Sequence, residues 1–535
     1  MESLKEPGSL GIVLEERAKK NKDKVFLQFE DEKITYEEMN ERANRVANGF
    51  FDLLGIKKGD RVAVMMANCP EWLYVWFGMM KMGAVLIPVN VALKGEGLSY
   101  ILDHSEAETV ILDHDFLDRL DFVQREMKVE RLKRTIVNTR GAPEDFKLPT
   151  GAKSLQELLE KSSSHTPQVE INPTDLSEIS YTSGTTGPPK GVLVPQSAFL
   201  TTGIGMSLLL GYTPDDVLYT CLPCFHANFQ QLTVSPALYA DATVALDKRF
   251  SVSRFWDQIR KYNATEFNYI GGMLPFLCSR PERPDDLDNP VRIAFGGGCP
   301  KEIWEEVERR FGLKIAEGYA AVDGGGIFNI FDGKVGSIGK PTPFVDIKVV
   351  DENENQCPPY KVGELLSRPH PDIGVNLVKY YKDPERTREA TKGGWWHSGD
   401  LAYYDEDGYF FFVGRKKESL RRRGENISPW EIESVVNKHP KVIESAVVGV
   451  PSELGVGEDD VKIYVVLEPG EKIRPEEVLD YCQERMAYYL VPRYVEFAEE
   501  LPRTPTFRIE YYKLKEKGVT EETWDREKAG YKVKR

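Results

Sequence analysis

Along the first 175 or so residues, short apolar runs alternate with stretches of helical spacing. KVFLQFEDEKITYEEMNERANRVANGFF (24–51) reads as strands followed by a helix that starts near Thr35 with acids in its first turn. GDRVAVMMANCPEWLYVWFGMMKMG (59–83) reads as a strand, a turn and an apolar helix, and AETVILD (107–113) as another strand. The alternation continues to about residue 340 through IRKYNATEFNYIGGMLPFL (259–277) and VRIAFGGGCPKEIWEEVERRFG (291–312). It predicts an α/β fold of mainly parallel sheets covered by helices, which bind ligands at the carboxyl ends of their strands. From residue 345 to 413 the character changes. VDIKVVDENENQCPPYKVGELLSR (345–368) and GYFFFVGR (408–415) predict a small β unit. Beyond it, SPWEIESVVNKHP, KVIESAVVGVPSE, DDVKIYVVLEP and RPEEVLDYCQERM predict a separate, smaller α+β domain. The charged stretch GRKKESLRRRGENIS (414–428) marks the boundary, dividing the chain into 1–415 and 416–535.

Size and charge narrow the function. A chain of 535 residues exceeds what one core usually holds, so two or more domains are expected. The net charge of −15 argues against nucleic acid as a partner but leaves room for a local basic site for a small polyanion. The most apolar run, WLYVWFGMMKMGAVLIPV (72–89), is interrupted by Lys81 and mixes helix and strand signals, so it reads as buried core rather than a membrane span. The N-terminus lacks an apolar signal region, and a cytoplasmic enzyme is the expectation. Seven cysteines suit a reducing compartment. Cys221 and Cys224 have C-x-x-C spacing but no second pair, so core packing is favoured over metal or redox chemistry.

One stretch points to chemistry. In YTSGTTGPPKGV (181–192), glycines allow tight turns, Thr182, Ser183, Thr185 and Thr186 add hydroxyls, and Lys190 adds a positive charge. Successive N–H groups in such a loop cradle anions. The spacing is not that of the common P-loop, since Gly191 rather than a hydroxyl residue follows the lysine. A flexible surface linker is the alternative, but LSEISY before and GVLVP after read as strands that fix both ends. Further along, AFGGGCP (294–300) leaves room for a flat ring, although a tight strand–helix turn explains its glycines equally well. EGYAAVDGGG (317–326) puts an aromatic ring and a carboxylate on one loop. GWWHSGD (394–400) ends in a carboxylate suited to ribose hydroxyls, and GRKKES supplies Arg415.

In this order these stretches resemble the adenylate-forming superfamily of acyl-CoA synthetases, luciferases and nonribosomal peptide adenylation domains, over nearly the whole chain. LPCFHANFQ, GGMLPFL and RRRGENIS look most like the carnitine and crotonobetaine type of CoA ligase. The resemblance implies two half-reactions, with ATP, Mg²⁺ and coenzyme A as cofactors and a small-molecule carboxylic acid as substrate. The acid forms an acyl-adenylate with loss of pyrophosphate, and a thiol then displaces AMP. It also implies that the smaller domain is mobile between the two steps.

Carried over by position, Thr182, Ser183, Gly184, Thr185, Thr186, Gly187 and Lys190 match the loop on the β- and γ-phosphates, with Thr182 and Asp323 on the metal. Gly297, Gly298 and Cys299 match the adenine-side segment. Tyr319, between Gly318 and Ala320, matches the ring that stacks on adenine. Asp400 and Arg415 match the ribose ligands. Arg422 and Gly424 match the coenzyme A side, where a solvated basic turn is the alternative. His226 matches the gate beside the acyl pocket, with a core histidine as its alternative. Asn228, Gln231, Gly271, Gly272 and Met273 are the other pocket candidates.

Three departures stand out. The motif G-Y-G-x-T-E reads here Gly318-Tyr319-Ala320-Ala321-Val322-Asp323, which loses a hydroxyl and shortens the metal carboxylate. The family's hinge aspartate is Glu418. Near the C-terminus, Phe507 stands at a glycine position and Arg508 at the lysine that bridges carboxylate and α-phosphate. Three readings therefore remain: an acyl-CoA synthetase, an adenylating enzyme with another acceptor, and a nucleotide- or acyl-CoA-binding homologue with degraded catalysis. A homodimer is the one macromolecular partner left open.

Overall fold

The computed structural model describes residues 8–127, 129–182, 189–331, 333–370, 377–416, 420–422, 425–427, 429–452, 459–486, 490–504 and 509–533. Thr35 caps the helix Tyr36–Asn48 where the sequence pattern starts it, and Glu38 completes a reciprocal capping box. The helix Pro70–Met82 is buried along its whole length, Lys81 included. It ends at Gly83 in a left-handed conformation (φ 71°), and the strand Val85–Pro88 follows. Turn and strand thus divide the apolar run 72–89, and among the described residues no helix is long and apolar enough to cross a membrane.

Two large sheets carry the first 340 residues. In a seven-stranded sheet, Arg61–Met65, Val85–Pro88, Thr109–Asp113, Arg134–Asn138, Lys153–Ser154 and Leu176–Thr182 run parallel. Lys190–Pro195 folds back antiparallel on its edge, with Thr182 opposite Lys190. In a nine-stranded sheet, Val217–Thr220, Glu266–Ile270, Ile293–Gly297 and Lys314–Ala321 are successive parallel neighbours. Their carboxyl ends lead into His226, Gly271–Gly272, Gly298–Cys299 and Asp323. Four sequence-distant candidates therefore emerge at one end of one sheet, as the general rule for parallel sheets requires.

The small β unit is a four-stranded antiparallel sheet, from Val345–Val350 to Phe410–Arg415. After residue 420 a two-stranded hairpin and a further four-stranded sheet pack with the helices Pro429–Val436, Pro475–Gln483 and Tyr511–Lys517. Their core gathers Ile432, Val447, Ile463, Leu479 and Val495, the α+β character expected.

One expectation needs correction. Residues 317–326 form a hairpin rather than a loop. Lys314–Ala321 pairs with Gly324–Asn329, leaving only Val322 and Asp323 at the turn. Its glycines are needed for packing and backbone geometry. A Cβ on Gly324 would lie 2.3 Å from the Trp396 ring, and Gly325 and Gly326 take φ of 113° and 114°.

Candidate functional site

Lys190 opens the strand that follows the glycine-rich stretch, and its Nζ lies 2.5 Å from Asp323 Oδ2 and 3.0 Å from the Tyr380 hydroxyl. Tyr380 donates to the same carboxylate oxygen at 2.9 Å, and the ammonium sits 4.6 Å from the Tyr380 ring centroid. Burial alone would lower the lysine pKa, but the charge and hydrogen bond of Asp323 outweigh it and raise the pKa. Thr182 Oγ1, opposite Lys190, is buried without a hydrogen-bond partner. Among the described residues no cluster of three or more His, Cys, Asp or Glu could cage a metal. One carboxylate and one unused hydroxyl nevertheless suit Mg²⁺, which takes few protein ligands and fills the rest of its shell with oxygens from water or a bound anion. Ser183, Gly184, Thr185, Thr186 and Gly187 lie outside the described residues.

A second cluster lies on the same hairpin. The Tyr319 hydroxyl donates to Asp400 Oδ2 at 2.6 Å, and Arg415 Nε lies 3.2 Å from Asp400 Oδ1. Asp400 and Arg415 are direct cross-strand partners, so sheet register sets their pairing. Tyr319 and Asp323 bracket the hairpin's exposed tip, which includes Ala320. The one hairpin thus reaches Lys190 through Asp323 and the Asp400–Arg415 pair through Tyr319.

The glycine segments are where backbones meet. Gly298 takes φ 89°, and a Cβ there would lie 3.1 Å from Gly271 Cα. A Cβ on Gly297 would lie 2.9 Å from the Gly318 carbonyl. Beneath them the Glu317 carboxylate is buried. It accepts the Cys299 N–H at 3.0 Å, the Gly298 N–H and the Tyr269 hydroxyl at 3.1 Å. Burial pushes its pKa up to about 7, although these donors pull the other way. A carboxyl raised above its unfolded value stabilises the fold at low pH. That contribution is lost as pH rises from the ordinary value of 4.5 through about 7. Glu317→Gln is therefore expected to gain melting temperature relative to the parent as pH rises from about 5 to 8. A difference that stays flat with pH would show that Glu317 does not titrate in this range.

The pocket candidates divide. His226 and Gln231 are half-buried, and Asn228 opens the π-helix Asn228–Val234 with its Oδ1 buried and unpartnered. Such helices are rare and concentrate at functional sites. Gly271 abuts Gly298, and Gly272 precedes the helix Met273–Cys278. Met273 is fully buried in the hydrophobic cluster that also holds Trp304 and Val307, so the structure makes it a core residue instead of a pocket wall. Cys221 and Cys224 are also buried, and burial raises both thiols, in keeping with core packing.

Arg422 lies in the strand Leu420–Arg422, while Gly424 and Arg508 lie outside the described residues. The sequence reading missed Tyr380 and the Glu317 contacts. A tyrosine 190 residues from Lys190 leaves no local signal.

A family profile described as "AMP-binding enzyme" matches residues 14–375, and one described as "AMP-binding enzyme C-terminal domain" matches residues 431–508. A crotonobetaine/carnitine–CoA ligase of Salmonella agona is 31% identical over 504 residues, covering 91% of this chain and 95% of that protein. The crystal structure of ATP-bound MatB from Rhodopseudomonas palustris superposes with a TM-score of 0.84 at 27% identity, covering 95% of this chain and 98% of the other. The anthranilate CoA ligase AuaEII in complex with anthranoyl-AMP has a TM-score of 0.86 at 24% identity, covering 96% and 98%, and shares the fold.

Proposed function

The chain belongs to the AMP-binding enzyme family, and from that premise we propose that it is an ATP-dependent acyl-CoA synthetase acting on a carboxylic acid. One observation carries this reading: a single hairpin joins a lysine–carboxylate pair beside the phosphate loop to a tyrosine–carboxylate–arginine set suited to a ribose.

In the first half-reaction a carboxylate oxygen of the acid attacks the α-phosphorus of ATP, and pyrophosphate leaves. Lys190 supplies positive charge at the phosphate end, and the loop donors from Thr182 to Gly187 orient the chain of phosphates. Asp400 accepts the two ribose hydroxyls, with Arg415 fixing its orientation. Tyr319 flanks the base, opposite the backbone at Gly297–Cys299. Mg²⁺, when bound, offsets phosphate charge, and Asp323 and Thr182 are the residues that would hold it. Arg508 brings a further positive charge to the carboxylate and α-phosphate. In the second half-reaction the thiol of coenzyme A attacks the acyl carbon and AMP leaves, with Arg422 and Gly424 on the coenzyme side. His226, Asn228 and Gln231 border the acyl group.

We assign residues 1–415 to the nucleotide and acyl sites and 416–535 to a domain that moves between the half-reactions, in a cytoplasmic enzyme. Light scattering separates a homodimer from a monomer.

The decisive experiment is pyrophosphate release across a panel of carboxylic acids that includes betaines, with and without coenzyme A. One acid is expected to give a burst without coenzyme A and turnover only with it. Turnover that requires a different thiol would favour another acceptor. No pyrophosphate with any acid would favour a binding protein with degraded catalysis.

A further inference from the structure

The helix Gly95–His104 plays no part in the chemistry above, yet it touches both ends of the phosphate loop. Tyr100 and His104 are one turn apart on one face, and their rings stack at 5.0 Å and 21°. The Tyr100 hydroxyl donates to the carbonyl of Pro189, the last residue before the return strand, at 3.1 Å. His104 Nδ1 shares a 2.8 Å hydrogen bond with the hydroxyl of Tyr181, next to last in the entry strand. The Tyr181 ring stands edge-on to both, at 6.5 Å from Tyr100 and 5.7 Å from His104.

The end of this helix is itself braced. The backbone of Tyr381 donates to Gly191 at 2.7 Å, and its ring stands edge-on to His104 at 5.7 Å. Its hydroxyl donates at 2.7 Å to Glu106, just past the helix, which Arg61 also meets at 2.8 Å and Lys382 at 3.1 Å. One rigid element therefore grips the loop's entry and its exit through side chains, in addition to the sheet's own hydrogen bonds.

We propose that Tyr100 and His104 are positioning residues for nucleotide binding: together they hold the two ends of the phosphate loop, without touching the nucleotide. The inference rests on reading 182–190 as the phosphate loop. Ends already held in place leave less ordering to be lost on binding, so an anion between them is bound more tightly for the same contacts.

Tyr100→Phe removes only the hydroxyl, and His104→Leu removes the shared hydrogen bond. Each is expected to raise the KM for ATP about fivefold, the worth of one hydrogen bond, while the KM values for the acid and coenzyme A stay within about twofold. His104→Asn restores a polar atom at the position of Nδ1 and is expected to recover most of the loss. A general packing defect would move all three KM values and would not be rescued. Thr185→Ala, inside the loop, serves as the reference. If it raises the KM for ATP while Tyr100→Phe and His104→Leu do not, the clamp is wrong and the phosphate loop stands. If Thr185→Ala also leaves that KM unchanged, the loop reading fails and the clamp with it. Should His104→Leu fold poorly, Tyr100→Phe decides alone.

Discussion

Replacing Arg508 with alanine is expected to slow acyl-adenylate formation about a hundredfold, the usual cost of losing one preorganised charge on a developing oxyanion. Transfer to coenzyme A from a chemically prepared acyl-adenylate should stay near the parent rate, because the proposed role of the charge is confined to the first step. Arg503 and Ile509, which flank Arg508 in sequence, bridge antiparallel. The Arg503 guanidinium lies 5.8 Å over the ring of Phe276, in the helix that follows Gly271–Gly272. Arginine keeps a permanent charge and forks onto two oxygens, but its planar head is less adaptable than an ammonium. Arg508→Lys combined with Phe507→Gly should therefore speed adenylation. Single-turnover measurement of each half-reaction checks both expectations. An Arg508→Ala enzyme that adenylates at the parent rate would make the residue a bystander. Lys513, which pairs with Glu510 at 2.5 Å, would then be the next cation to test.

The second large effect is expected at Asp323. Asp323→Asn keeps the shape but removes the charge that Lys190 faces at 2.5 Å. Truncating one partner of a buried, hydrogen-bonded charge pair typically costs about 2–5 kcal/mol, so a fall in kcat/KM for ATP of about thirtyfold or more is expected. More Mg²⁺ should be needed for half-maximal rate. The alkaline side of the pH profile should move as well. In the parent the aspartate holds the lysine pKa above its ordinary value. In the variant burial, which lowers it, is opposed only by Tyr380, so the pKa falls and activity should decline at a lower pH than in the parent. Identical Mg²⁺ dependence and an unmoved alkaline limb would remove Asp323 from the site. Asp323→Glu should be tolerated, since a longer carboxylate still reaches the ammonium.

Much of this was legible in the chain because it is local. The strand–loop–strand signature around Lys190, the helix start at Thr35 and the α+β character after residue 420 are all written in short-range periodicity and capping. The failures share the opposite property. Three glycines after Asp323 suggest a loop to any local rule, but here they serve a hairpin packed against Trp396, 72 residues away. Met273 follows two glycines in a pocket-like context, yet its side chain turns into a core shared with a helix some 30 residues on. Tyr380 and Glu317 act through partners that only the assembled sheets bring within reach.

The hairpin Lys314–Asn329 also works as a fixed gauge. Tyr319 on the strand and Asp323 at the turn stand four residues apart, and pairing places Ala320 opposite Gly325 and Ala321 opposite Gly324 between them. Slipping that register by one residue would turn alternate side chains to the opposite face. Substitutions along the tip therefore retune the grip on a nucleotide, whereas inserting or deleting a residue there changes the length being measured. The departures Ala320, Val322 and Asp323 are all of the first kind. They change the side chains that the tip presents and leave its length as it was.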